Sequence, residues 1–480
     1  MSASWNKKRG IYPFIPNEIW LLIFELATCV PGIFDPDVRD PFDIPIDANS
    51  RLLDLRFEQS HIRKSLLTKR RIVRVCKLWC ALATPLLYQA VILRHMHCVH
   101  SLHSTLMQQC ARAEVPLGFW VHRADVNLRF DQDKGDGNAE DLSVLAEIIR
   151  CFPNLRVLAV ASQLFAHPSG DTMADLLCVA VGASCSPQLL KLIWAFDIHP
   201  SDSAFSVLLK RMPRLRTLVV GPEDPQADFC PLALPPLPDL RFVTVAHMVE
   251  EADTMILDPF PNLQQILLRW VADSTLACLS DFLRFRAPDI TTAYLSMDLG
   301  PAAMICFTLA ENCPRLTRIV LIADRWSSIT ENYDGYFFSN GGGAGDLNSV
   351  PFLPPVTHLG LACTQNQASN VTYRRVFVWL TEHIPSSLKV VRFMNPKGLK
   401  DLHDRHSKVF TEGLASLPIL RVEDHQGIDL RLEAAVVPQT QQFLNTAVPC
   451  RIDILMVLVQ GLSTLEGVWV EDWRSTMKTI

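Results

Sequence analysis

The sequence predicts an α/β chain: a small N-terminal helical module, then an irregular α/β solenoid of stacked repeats. Three observations carry that prediction. With 49% hydrophobic and 20% charged residues, the 480-residue chain is folded rather than disordered. Proline outnumbers glycine 32 to 20, the reverse of ordinary usage, so something punctuates the chain with proline. One proline-containing phrase also keeps returning along the chain.

The helical module comes first. Ile15-Pro16 opens a helix, where the missing proline N–H would have no partner in any case. Ile19, Leu22, Ile23 and Leu26 follow at the spacing of one apolar face. Ile72, Val75, Cys76 and Trp79 repeat that spacing in a second helix. Thr84-Pro85 reads as the cap and first position of a third helix, LLYQAVIL. Between the first two lies CVPGIFDPDVRDPFDIPID, rich in Asp and Pro and read as a loop. RLLDLRFEQSHIRKSLL follows it as an extra helix.

The two segments IPNEIWLLIFELA and RRIVRVCKLWCALATPLLY resemble an F-box, of the kind abundant in mushroom-forming fungi. The family pattern is Leu-Pro-x-Glu, a hydrophobic helix, then Val-Cys-x-x-Trp. The resemblance covers 16–28 and 70–93, with Ile15 in place of the usual Leu. About 40 residues separate the helices where the family typically has roughly ten. The resemblance implies docking on the small Skp adaptor of a cullin-RING ubiquitin ligase. It places the adaptor contacts on Ile15, Pro16, Glu18, Ile19, Val75, Cys76 and Trp79. Ile23, Leu26 and Ile72 are expected in the module's own core. The basic run Arg63, Lys64, Lys69, Arg70, Arg71, Arg74 and Lys77 is read as a solvated helix face, or as a surface steering toward an acidic partner.

From residue 150 the returning phrase reads Pro, any residue, an aliphatic anchor, then strand residues. Its anchors are Leu155, Leu189, Leu215, Leu240, Leu263, Ile290, Leu316 and Val356. Looser copies lie at Leu388, Leu420 and Leu465. From Leu189 to Leu316 the anchors stand 26, 25, 23, 27 and 26 residues apart, the period range of leucine-rich repeats. Helical segments such as DLSVLAEIIRC and SAFSVLLKRM end just before their proline, which cannot continue a helix. Such a unit cannot bury its own apolar face, so neighbours must stack. The Asn usual after a leucine-rich strand is missing, which makes the repeats irregular.

Strand side chains alternate. With Leu155, Leu158 and Val160 pointing inward, the other face carries Lys191, Ile193, Phe242, Thr244, Gln265, Leu267, Arg269, Tyr294, Ser296, Arg318, Val320, Ile322, His358, Arg392 and Met394. Aromatics, Met and Arg are enriched at protein interfaces. Phe242, Leu267, Arg269, Tyr294, Arg318, His358 and Arg392 are therefore the candidate target-binding residues, unless helices or loops cover the face.

Other signals narrow the function. A net charge of -5 argues against general nucleic-acid binding. Residues 1–112 hold 15 basic and 9 acidic side chains, so positive charge gathers at the N-terminus. The 14 cysteines form no C-x-x-C pair; Cys76, Cys178, Cys278 and Cys306 read as small buried hydrophobes of a reduced, intracellular protein, cytoplasmic or nuclear. No run of 18 apolar residues suggests a membrane span. HMHCVHSLH at 95–103 lacks a second ligand cluster and is read as a linking helix or strand, not a metal site. SNGGGAGDLN lacks the Lys-Ser/Thr of a phosphate loop and reads as an insert between repeats. No catalytic constellation and no cofactor motif emerges.

The expected organisation is a three-helix F-box module at 11–95 with an insert at about 29–70, then a linker with first irregular elements at 96–139. A leucine-rich-like solenoid at 140–480 follows, with a loop insert at about 326–352. The expected function is a non-catalytic substrate-recognition subunit of a Skp–cullin–F-box ubiquitin ligase, with the repeats binding a target protein. The alternative is an interaction scaffold whose F-box acts outside a ligase.

Overall fold

The computed structural model describes residues 15–43, 55–110, 115–128, 139–162, 170–196, 200–221, 234–245, 260–269, 276–286, 289–297, 302–330 and 353–431. Two compact units divide the chain, 1–428 and 429–480. The first holds an α/β array with one parallel sheet of twelve strands in strict sequence order. The strands are β1 (Ala90–Leu93), β2 (Arg123–Val126), β3 (Val157–Ser162), β4 (Lys191–Phe196), β5 (Thr217–Val220), β6 (Phe242–Val245), β7 (Gln265–Leu268), β8 (Thr292–Ser296), β9 (Arg318–Ala323), β10 (His358–Cys363), β11 (Val390–Phe393) and β12 (Arg421–Glu423). Each pairs with the next in the chain, as stacked repeats require.

Every phrase anchor among the described residues is buried: Leu155, Leu189, Leu215, Leu240, Leu263, Ile290, Leu316, Val356, Leu388 and Leu420. The anchor at Leu465 lies outside the described residues. The prolines have a sharper role than stopping a helix. The Leu155 amide donates to the Phe152 carbonyl at 3.3 Å, closing a four-residue turn with Pro153 in second place. The same bond recurs from Leu215 to Met212, Leu240 to Leu237, Leu263 to Phe260, Leu316 to Cys313 and Leu420 to Leu417. Proline suits that second position because its ring pre-sets the φ the turn needs. The residue before each proline is buried too, so turn and anchor together pin the start of each strand.

The array begins earlier than residue 140. β1 and β2 are already in the sheet, so the expected linker at 96–139 carries part of the array. His95 to His103 belong to a helix, Met96–Cys110, and the preceding residue. At the other expected insert, 326–330 is helical. Its Trp326 is buried and packs on Tyr373 and Phe393 at 5.7 and 6.0 Å. The Gly-rich stretch itself lies outside the described residues.

Three helices stand ahead of the sheet: α1 (Asn17–Thr28), α2 (Leu55–Ile72) and α3 (Lys77–Tyr88). Their boundaries correct the sequence expectation. The helix expected across 72–79 is broken: α2 ends at Ile72, and Cys76 caps α3, its Sγ accepting the Trp79 amide at 3.4 Å. Cys76 is therefore exposed rather than a buried hydrophobe. Cys178 and Cys306 are buried, and burial pushes the Cys178 thiol up to about 12, away from reactive thiolate. Pro85 lies inside α3 instead of opening a third helix, and LLYQAVIL turns from helix into β1. The extra helix expected after the insert is α2 itself.

Candidate interaction surfaces

α1 divides cleanly into two sides. Phe24 is buried, and Trp20 and Ile23 pack around it with Ile72, Val73 and Trp79. The ring centroids of Trp20 and Trp79 are 4.7 Å apart, and those of Phe24 and Trp79 are 4.9 Å apart. Trp79 is thus mainly a core residue of the helical module, and Ile23 and Ile72 join that core as expected. Leu26 does not. Ile15, Ile19, Leu22 and Leu26 are 37%, 46%, 51% and 68% exposed, a stripe of aliphatics turned to solvent. Val75 and Leu78, at the turn into α3, are 52% and 44% exposed. Glu18 and Pro16 are exposed at the head of α1, where the Pro16 carbonyl accepts the Ile19 and Trp20 amides.

Of the basic run, Arg63, Lys64, Arg70 and Arg71 on α2, Arg74 in the turn after it and Lys77 at the head of α3 face solvent. Lys69 is buried, and desolvation pulls its ammonium down to about 8.

The strand face carrying the target-binding candidates is already occupied. Ile193, Val219, Phe242, Leu267, Tyr294, Val320 and Met394 form one apolar cluster, in the predicted register. Packed against it are Val38 and Phe42, from the insert between α1 and α2. The insert's first part, 30–43, is a strap across the sheet, and its contacts follow strand order. The Ile33 carbonyl accepts from Arg123 on β2 at 2.9 Å. The Pro36 carbonyl accepts the Thr217 hydroxyl on β5 at 2.6 Å. The Asp37 carboxylate lies 3.5 Å from Arg216 and 3.1 Å from Arg241, ahead of β5 and β6. Asp40 accepts from Thr292 on β8 at 2.8 Å and from Arg318 on β9 at 2.7 Å. Asp43 takes the other arm of Arg318 at 2.9 Å. The Phe42 ring meets His358 on β10 edge to face at 5.2 Å, and the Pro41 carbonyl accepts from Arg392 on β11 at 2.6 Å.

Two buried arginines clamp the strap's ends. Arg123 also binds Asp125 at 2.8 Å and Glu58 of α2 at 2.7 Å. Burial pushes the Asp125 carboxyl up, and Arg123 pulls it back; the net direction is upward. Arg392 binds Glu423 of β12 at 2.6 Å and lies 5.3 Å from the centre of the Phe42 ring. Gly360 provides the space between: a Cβ there would stand 2.6 Å from the Met394 methyl and 3.3 Å from Phe42. Burial, with Arg318 nearby, lowers the His358 pKa and favours neutral imidazole against the Phe42 ring.

The expectation that this face lies open to a target is therefore corrected. Phe242, Leu267 and Tyr294 are buried beneath the strap's cluster, and Arg318, His358 and Arg392 contact the strap itself. Arg269 follows β7 and is half-buried. Sequence reasoning missed the strap because it took 29–47 for a free loop. The available signal was complementarity of charge: Asp37, Asp40 and Asp43 in the insert against Arg216, Arg241 and Arg318 at and just ahead of the strands.

No family model matches this chain, and no curated protein shows significant similarity to it. Among the described residues no group of three or more His, Cys, Asp or Glu is placed to hold a metal ion. No helix among them is long and apolar enough to cross a membrane.

Proposed function

We propose that this chain is a substrate-recognition subunit of a Skp–cullin–F-box type ubiquitin ligase. Its N-terminal helices would dock on the Skp adaptor, and its strand array would hold the target. The observation that supports this reading most is the aliphatic stripe of α1. Ile19, Leu22 and Leu26, with Ile15 just ahead of the helix, are exposed although the same helix has a separate, well-packed inner side. A helix with two apolar sides has one to spare for a groove on a partner. The segments that resemble an F-box contain this stripe and the exposed Val75. The chain itself would do no bond chemistry; it would bring a target close to partner subunits that do.

The test is co-purification of adaptor and cullin with wild type and with Leu22→Glu plus Leu26→Glu. Both substitutions lie on the exposed stripe and leave the Trp20–Phe24–Trp79 core untouched, which a Trp79 variant would not. Wild type is expected to recover both partners and the variant neither. Recovery of no adaptor by wild type overturns the reading. Adaptor without cullin favours a scaffold acting outside a ligase.

A further inference from the structure

The strand face already holds a peptide, and that peptide belongs to the chain. Its contacts show what the face accepts. It takes carboxylates at Arg216/Arg241 and at Arg318, three residues apart along the strap. It takes an aromatic ring in the niche of His358, Gly360 and Arg392. It takes main-chain carbonyls on Arg123, Thr217 and Arg392. None of these contacts requires the strap to be a helix or a strand, and 34–39 has neither form.

The strap lies on this face rather than within it. Ile33, Asp40 and Pro41 are buried, whereas Phe34 to Val38 are only half-buried and Arg39 is exposed. Its central ion pairs are wet: Asp37 is 33% exposed, with Arg216 at 35% and Arg241 at 47%. A segment held this way can leave while the sheet beneath keeps its own ladder of bonds.

We propose that this face is a docking groove for extended acidic peptides ordered acid-x-x-acid-Pro-aromatic, and that residues 30–43 are its resident competitor. The proposal rests on the reading of the array as the target-binding part, and it adds the chemical class of the target. Tethering gives the strap a high local concentration, on the order of millimolar. A target must therefore either match the pattern better than the strap or arrive when the strap is open.

The test uses the full chain alone, without adaptor, and a labelled synthetic peptide of sequence VPGIFDPDVRDPFD. Wild type is compared with Asp37→Ala/Asp40→Ala/Phe42→Ala, which removes three of the strap's side-chain holds, leaves Val38 and Asp43 in place, and keeps its connection. The triple variant is expected to bind the peptide at least tenfold more tightly than wild type. Binding should weaken with added salt, with Asn in place of the peptide's counterparts of Asp37, Asp40 and Asp43, which face arginines of the sheet, and with Arg318→Ala added to the variant. A folded triple variant that binds no better than wild type overturns the proposal. Amide exchange on wild type gives a second measurement, independent of whether the variant folds. Amides of 35–43 are expected to exchange at least a hundredfold faster than those of β5–β9; exchange in step with the sheet overturns the proposal. Adaptor recovery without peptide binding defeats this inference alone. Peptide binding without adaptor recovery defeats the ligase reading alone.

Discussion

Two surfaces of this molecule were expected to meet partners, and they differ in one respect. The outer stripe of α1 is exposed, with the expected contact Ile19 at 46% and Leu26, expected in the core, at 68%. The strand face, with Phe242 at 1% and Leu267 at 0%, is covered by the chain's own strap. The adaptor surface was drawn from the F-box resemblance and the strand face from side-chain periodicity, which tells which residues share a face. Periodicity does not tell what lies on that face. The stripe of α1 is left over because Trp20, Ile23 and Phe24 already satisfy the helix's inner side. The strand face is filled because 30–43 is long enough, acidic enough and close enough in the chain to reach it.

The comparison can be broken at its strongest contact. Arg123→Met removes a buried cation from Asp125, which is fully buried, and from Glu58 and the Ile33 carbonyl. Breaking a buried pair by removing one partner costs about 3–5 kcal/mol. Urea unfolding is expected to show a loss of that size. A loss under about 1 kcal/mol would mean that the clamp is dispensable.

Gly360→Val tests the strap's seat. The new methyls must displace the Met394 methyl, Val320 and Phe42. Overpacking of this kind costs about 1–3 kcal/mol. Faster amide exchange at 40–43 should accompany it, with the strands β2–β5 unchanged. Slower or unchanged exchange there would show that Phe42 is not seated against Gly360.

Lys69→Met acts in the opposite direction, within the helical module. At pH 7 the buried ammonium is charged in both states and costs the folded state stability. As pH rises through about 8 the folded lysine loses its proton, while the unfolded one keeps it to about 10.5, so wild-type stability should rise over that window. The variant is expected to be about 1–2 kcal/mol more stable at pH 7 and to lack that rise. A wild type whose unfolding midpoint is flat between pH 8 and 10 would remove the basis for this expectation.

The smallest effect on stability belongs to the open stripe. Leu26→Ser removes an exposed side chain and should change unfolding by no more than about 0.5 kcal/mol. The same substitution should still weaken adaptor recovery. A stability loss above about 1 kcal/mol would place Leu26 in a core after all and erase the contrast between the two surfaces.

Much of the architecture was legible before any coordinates. The anchors Leu155 to Val356 announced the strands because a repeat that cannot bury itself must carry the same apolar signal each time. The proline excess marked the turns because only a fixed φ at one position is needed, and that is a local property of the residue. The alternation of strand residues predicted which side chains share the strap's face, and the apolar cluster holds that register. The helix boundaries near Cys76 and Pro85 were less legible. A helical spacing of apolar residues persists across a tight turn, so Ile72 and Trp79 look continuous although a cap divides them.

By itself, then, the sequence determined the repeat and the register, because each follows from short-range spacing and backbone preference; that α1 has two apolar sides, with Leu26 outside the core, came from the tertiary structure. Only the tertiary structure decided that Asp37 reaches Arg241, that Asp40 reaches Arg318 and that Phe42 fills the niche at Gly360. Those partners lie hundreds of residues apart, and no local pattern links an acidic loop to the arginines it meets. The stacking of twelve strands brings those arginines into one row, and residues 30–43 lie along it.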